Sequence, residues 1–214
     1  FWGTIAKDNF SWKRPWNRVL DWDFSTPEIS WFKGAKLNIT ENCIDRHLSK
    51  RGDKTAIIFE PNDPSEESLH ISYNELYVRV SKMANVLQEQ GVKKGDRVCI
   101  YLPMIPELAI AVLACARIGA IHSVVFAGFS SSALASRIND SDCKMVITSD
   151  GGFRGNKVIN LKGIVDEALL SCSCVEKVLV VKRTNDSINM NEGRDVFLQP
   201  LLDNALNSHI AEIM

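Results

Sequence analysis

A chain of 214 residues with 25 basic and 26 acidic side chains carries a net charge of −1, without the basic excess that nucleic-acid and membrane-surface binders show. At 45% hydrophobic and 24% charged it has the balance of a globular protein, long enough for one packed domain with an appendage or for two small ones. No apolar run approaches the ~18 residues of a membrane helix, and the first residues lack the layout of a signal peptide.

All five tryptophans (2, 12, 16, 22 and 31) fall in the first 31 residues, mixed with Pro15, Pro27 and Gly34. No single period fits them, so the stretch reads as an irregular arm whose aromatics dock onto a neighbouring surface and are mostly buried there. Stacking on bases or sugars is the alternative, but Lys13, Arg14 and Arg18 are few for it. Next, "TENCIDRHLSKRG" predicts a helix started at Thr40 and ended near Gly52, with His47 a packing or surface residue. "TAIIFE" and "LHIS" are short strands on either side of the polar turn "PNDPSEES". Ser72 and Glu75 have the spacing of a capping box, in which each side chain reaches the other's backbone N–H. The helix that follows carries Leu76, Val80, Met83 and Leu87 on one face and ends at Gly91.

From there one theme repeats four times. Apolar strands at 97–102, 121–127, 144–149 and 175–182 alternate with helices begun at Pro106, at the serines 130–132 and near Ile164. The first of these helices, "ELAIAVLACARIGA", is apolar nearly all round and should be buried on more than one side. Continuously apolar strands alternating with helices predict an α/β fold, a largely parallel sheet flanked by helices on both faces. Residues 183–195 read as a polar loop, and Leu202, Leu206 and Ile210 share one face of a last helix. The six cysteines sit mostly inside apolar runs, as small buried hydrophobes in a reducing, cytoplasmic setting. Cys172 and Cys174 are the one close pair, and no His or further Cys stands near to complete a metal site.

The chemistry gathers in "DGGFRGNK", residues 150–157, just after the apolar run "KMVITS". In open α/β sheets ligands bind outside the carboxyl ends of the strands. Glycine lets backbone approach a ligand closely, Arg154 offers a planar fork matched to phosphate oxygens, and Lys157 adds a point charge. That is the chemistry of a phosphate clamp, although the letters match neither the Walker loop nor the dinucleotide fingerprint; a plain exposed turn is the alternative. Gly128 and the serines 130–132 bring a helix N-terminus towards the same edge, which attracts anions, with ordinary serine capping as the plain reading. Spacing alone favours the core for Phe126 and Phe129, with stacking on a base as the other possibility.

Three long segments, "PWNRVLDWDFSTPEISWFKGAKLNITENCIDRHL", "YLPMIPELAIAVLACARIGAIHSVVFAGFSSSALASRIND" and "RGNKVINLK" followed by "VDEAL", closely resemble the N-terminal part of the acetyl-coenzyme A synthetases. Those enzymes belong to the adenylate-forming, AMP-dependent synthetase superfamily, and the resemblance covers nearly the whole chain. It implies an acetate–CoA ligase: acetate attacks the α-phosphate of ATP to give acetyl-adenylate and diphosphate, then the coenzyme A thiol takes the acetyl group and AMP leaves. It implies an N-terminal arm over 1–60 and the first α/β subdomain of the adenylation domain over 61–214. It implies that Arg154, Gly155, Asn156 and Lys157 bind the nucleotide end of CoA, with cations on the 3′-phosphate, and that Phe126 and Gly128 lie beside the adenine and the start of the pantetheine arm. Asn156 departs from the glycine usual at its position in the family.

The superfamily's phosphate loop, roughly T-S-G-S/T-T-G-x-P-K-G, is not in this sequence. The resemblance therefore implies that catalytic residues lie elsewhere in a longer polypeptide, that this stretch is inactive alone, and that the Mg²⁺ expected for the whole enzyme is not bound by it. The implied partners are acetate, ATP, CoA and the rest of the same polypeptide, with no nucleic acid and no membrane. Fragments of propionate or other short-chain acyl–CoA ligases, and a non-catalytic anion-binding α/β module, are the alternatives.

Overall fold

The computed structural model describes residues 1–155 and 157–214. The first stretch is more regular than its composition indicates: helix α1 (Trp2–Asn9) precedes an antiparallel hairpin of β1 (Arg18–Asp23) and β2 (Glu28–Lys33). Trp12 and Trp16 pack edge-on, and both rings meet Phe32. Trp2, Trp22 and Trp31, by contrast, are exposed, and Trp12 and Trp16 are only half-buried among the arm's own residues, so the expected burial of the tryptophans on a neighbouring surface does not hold. The single helix expected over 40–52 is broken into α2 (Ile39–Cys43), a 3₁₀ turn over Asp45–His47 and α3 (Leu48–Arg51). Asn38, not Thr40, caps α2, accepting from the Thr40 N–H, and Ile44 leaves helical geometry at φ −123° and ψ −70°.

Strands β3 (Thr55–Phe59) and β4 (Leu69–Ser72) pair antiparallel. The capping box at Ser72 and Glu75 is formed in both directions and opens α4 (Tyr73–Glu89), whose expected face is buried. Then follow β5 (Arg97–Tyr101), α5 (Pro106–Ile118), β6 (Ile121–Val124), α6 (Ser131–Ser141), β7 (Met145–Ser149), a small hairpin of β8 (Gly152–Arg154) and β9 (Lys157–Ile159), α7 (Leu161–Leu169), β10 (Lys177–Val181), β11 (Asp195–Phe197) and α8 (Leu198–Asn204).

Five strands form one sheet in the order β11-β10-β7-β5-β6, every neighbouring pair parallel. The period-2 alternation of a strand divides its side chains between two cores. Val98, Ile100, Ile147 and Leu179 join α4 and α5 on one face, whereas Cys99, Tyr101, Val146 and Val180 join α6 and α7 on the other. The chain runs from β5 outward to β6, then crosses back over β5 to β7, so the strand order reverses around β5. That reversal opens a crevice at the carboxyl ends of the strands, the place where such sheets take ligands.

Two corrections fall at the end of the chain. The loop expected over 183–195 runs directly into β11, a fifth parallel strand beside β10. The last helix stops at Asn204: Leu206 is exposed and Ile210 is 92% exposed. Past that point the carbonyls of Leu206 and Ser208 are held by the Asn85 amide and that of His209 by Arg117, so side chains from α4 and α5 hold an extended backbone in place of a helix.

Candidate functional site

The crevice is a cleft of about 220 Å³ whose walls come from three successive strand ends: Pro103 to Ile105 after β5, Phe126 to Gly128 after β6, and Gly152 to Arg154 after β7. Three of the residues singled out from sequence, Phe126, Gly128 and Arg154, therefore meet at one place although 28 positions separate the first from the last.

The turn after β7 is a β-hairpin. Its register opposes Gly152 with Ile159, Phe153 with Val158 and Arg154 with Lys157. Directly opposed residues of an antiparallel pair share a face with Cβ atoms ~5 Å apart, so Arg154 and Lys157 present two cations side by side, both exposed. Like charges so placed oppose each other, and an anion between them removes that repulsion. Gly155, at φ +58°, occupies the left-handed region, and a Cβ there would meet no atom within 4 Å; the glycine serves the turn's geometry. Asn156, named with these residues from sequence, lies outside the described residues. The hairpin's root is packed: a Cβ on Gly152 would come within 3.2 Å of Leu161 and Pro103 side chains.

In the loop after β6, Phe126 is 65% exposed and Phe129 is exposed beside it, their rings edge-on at 6.0 Å, so the core assignment that spacing favours does not hold. The reason lies in the loop. Tyr101 Oη, at the end of β5, donates to the Phe129 carbonyl at 2.8 Å and fixes the backbone, while Arg137 covers the Phe129 ring at 5.1 Å. Burial, with Cys99 adding to it, pushes the Tyr101 phenol above its ordinary value, which keeps it a neutral donor. A Cβ on Gly128 would stand 2.5 Å from Phe126 Cε1: the missing side chain is the seat of that ring. Ser130 caps α6 by accepting from the Ala133 N–H, as a plain serine cap does.

Two participants were missed. Asp150, directly after β7, is buried and accepts from the N–H groups of Gly151, Arg183, Thr184 and Asn185 at 2.7–3.1 Å. It ties the entrance of the hairpin to the loop after β10. Arg183, on that loop, joins Arg154 as a second cation in the cleft wall. Only the pairing of β7 with β10 brings residues 33 apart together, and no local spacing signals it.

Four of the six thiols are held as poor nucleophiles. Burial pushes Cys115 up to about 12 and Cys143 up to about 11, and Cys99 and Cys172 are raised as well. Hard cations want several oxygen ligands, and among the described residues no three His, Cys, Asp or Glu side chains form a group that could hold a metal. No helix among them is long and apolar enough to cross a membrane.

Comparison with known proteins places this architecture. The AMP-binding enzyme pattern matches residues 44–205, and that of the acetyl-coenzyme A synthetase N-terminus matches residues 1–43. Acetyl-coenzyme A synthetase 2 of Pseudomonas aeruginosa is 52% identical over all 214 residues, which cover 33% of its length. Acetyl-coenzyme A synthetase of Alkalilimnicola ehrlichii is 54% identical over 197 residues, 92% of this chain and 30% of that protein. The chain thus spans about a third of the length of the curated relatives it matches. Among solved structures, acetoacetyl-CoA synthetase from Streptomyces lividans superposes with a TM-score of 0.89 at 25% identity, over 100% of this chain and 32% of that one. With the larger pattern spanning most of its length, the chain belongs to the AMP-binding enzyme family and begins with the N-terminal segment of acetyl-coenzyme A synthetases.

Proposed function

We propose that the chain is the N-terminal part of an acetate–CoA ligase, and that its contribution is the site for the nucleotide end of CoA. The reaction is acetate, ATP and CoA to acetyl-CoA, AMP and diphosphate. An acetate oxygen attacks the α-phosphorus and diphosphate leaves; the CoA sulfur then attacks the acyl carbon and AMP leaves. Residues 1–60 act as the arm and 61–214 as the first subdomain of the adenylation domain. No residue of this stretch takes part in bond making; the ATP phosphates, Mg²⁺ and the acyl pocket belong to the remainder of the polypeptide. Six free thiols suit a reducing compartment, the cytoplasm.

The observation that carries the reading is the register of Arg154 against Lys157, which puts two exposed cations on one hairpin face beside the cleft. The exposed ring of Phe126, which lines the same cleft as Arg154, suits a base, and the cations suit its phosphate. Resemblance to the acetate enzymes favours acetate over propionate, because relatives of that name match the arm as well as the sheet.

The test is Arg154→Ala in the complete enzyme, with CoA compared against dephospho-CoA, which lacks the 3′-phosphate. A hydrogen bond between charged groups contributes roughly 1.5–3 kcal/mol, so at ~1.4 kcal/mol per tenfold the KM for CoA should rise about ten- to a hundredfold. Acetate-dependent ATP–diphosphate exchange, which needs no thiol, should hold. Equal losses with both donors would show that Arg154 shapes the turn and does not touch the phosphate.

A further inference from the structure

A hairpin of two three-residue strands has little stability of its own in water, so its aim depends on what grips it. Its root is seated by Gly152 against Pro103 and Leu161. Nearer the tip the grip is an arginine. Asp150 holds the N–H of Arg183 at 2.7 Å, with Thr184 and Asn185 behind it, so that the side chain leaves from a fixed backbone. It then runs between two rings: the guanidinium carbon is 5.3 Å from the centroid of Phe153 in β8 and 5.8 Å from that of Phe59 at the end of β3. Its one ion pair among the described residues is a long one, Nη1 to Glu66 Oε2 at 3.7 Å. Arg117 by contrast closes on Asp45 with both terminal nitrogens.

Side chains alternate across a strand, so Phe153 and Arg154 point to opposite faces of β8. Gripping the first sets the position of the second. We propose that Arg183 is a positioning residue of the CoA nucleotide site: stacked between Phe59 and Phe153, it fixes the β8–β9 hairpin against the sheet so that Arg154 meets the ligand's phosphate at a set distance. The inference rests on the reading of Arg154 as a phosphate ligand.

The experiment is a double-mutant cycle in the complete enzyme, read as the ratio of kcat/KM for CoA to that for dephospho-CoA. Arg183→Ala should lower this ratio roughly three- to tenfold, the range of a partly buried cation–π pair. Arg183→Lys keeps the charge without the planar face and should resemble Arg183→Ala. Phe153→Leu, which keeps apolar bulk and removes the ring, should give the same loss, and unfolding midpoints show that each variant is folded. In an Arg154→Ala background Arg183→Ala should add nothing further. An unchanged ratio in Arg183→Ala, full rescue by lysine, or losses that multiply in the double variant would each overturn the inference, the last because it marks an independent phosphate contact. An unchanged ratio in Arg154→Ala overturns the CoA reading and this inference with it. A changed ratio there with an unchanged one in Arg183→Ala overturns this inference alone.

Discussion

Arg117→Met should be among the most damaging single changes outside the apolar core. The side chain is 2% exposed at the end of α5, and its fork closes on both oxygens of Asp45 at 2.9 and 3.0 Å. Nη2 and Nε also donate to the His209 carbonyl at 2.6 and 3.1 Å, Nη1 reaches Thr40 Oγ1 at 3.2 Å, and the guanidinium lies 5.2 Å from the Tyr77 centroid. One side chain thus joins the segment around α2, the helix α4 and the last residues of the chain. Removing one partner of a buried pair costs ~3–5 kcal/mol. Asp45 keeps 29% side-chain exposure and water can rehydrate it, which brings that part down to roughly 2–3 kcal/mol. The orphaned carbonyl of His209 adds about 1 kcal/mol, for a total of about 3–4 kcal/mol, a large share of the ~5–15 kcal/mol that keeps a domain folded. Lys13→Met, which breaks an exposed pair with Glu41, serves as the control and should cost under ~1 kcal/mol.

Urea unfolding followed by two probes reads the effect. All five tryptophans lie in the first 31 residues, so their fluorescence reports the arm, while far-UV circular dichroism reports the sheet and helices. In the parent the two transitions should coincide. In Arg117→Met the fluorescence transition should come first, because the contact that joins the segment behind the arm to α5 is gone. A variant within ~1 kcal/mol of the parent, with coincident transitions, would refute the reasoning.

Burial, with the Arg117 guanidinium adding to it and Glu212 opposing, holds His209 below the ordinary imidazole value, and its Nε2 faces Gln88 Oε1 at 2.9 Å. Above ~6.5 the ring is neutral in both states; below it the unfolded chain takes the proton first, so stability falls with pH from about 6.5 downward. Unfolding free energies measured between pH 5 and 7.5 should show that slope and lose it in His209→Gln; an equal slope in both would refute the assignment. Gly155→Ala forces an L-residue to φ +58° in open space and should cost about 1 kcal/mol, with Gly155→Asn recovering most of it. Denaturant midpoints check the order parent, Asn, Ala.

Where a local pattern carries the structural cause, the sequence is readable. β5, β7 and β10 are mostly apolar because both faces are covered, whereas β6 at the sheet's edge is largely exposed, and Ser72 with Glu75 marks a helix start through two reciprocal hydrogen bonds. The strand ends that wall the cleft follow from the same alternation. What escapes reading has long-range causes. Leu202, Leu206 and Ile210 have helical spacing, yet Asn85 and Arg117 on distant helices claim the backbone carbonyls that a helix would use. β11 has three residues, too few for a period, and exists because β10 offers an edge. Phe126 looks like core in a list of spacings, but Gly128 gives its ring a seat at the surface. Asp150 reads as one more polar residue in a turn until the β7–β10 pairing sets it under residues 183–185.

On the proposed CoA reading, the hairpin that bears Arg154 and Lys157 gives up stability for recognition. Two opposed cations destabilise a ladder that has only three residue pairs to offer. An arrangement meant only to turn the chain would gain from a Glu or Thr at either position. The surroundings instead work to keep the charged pair in place: Gly152 seats the root, Asp150 anchors the neighbouring loop and Arg183 clamps Phe153. Since both cations are exposed, an anion gains little from low dielectric at this site. On the proposed reading its affinity has to come from two donors whose backbone register is preset on one hairpin face. Rigidity around the turn and charge on the turn are then two parts of one requirement, and loosening the first should weaken phosphate binding as surely as deleting the second.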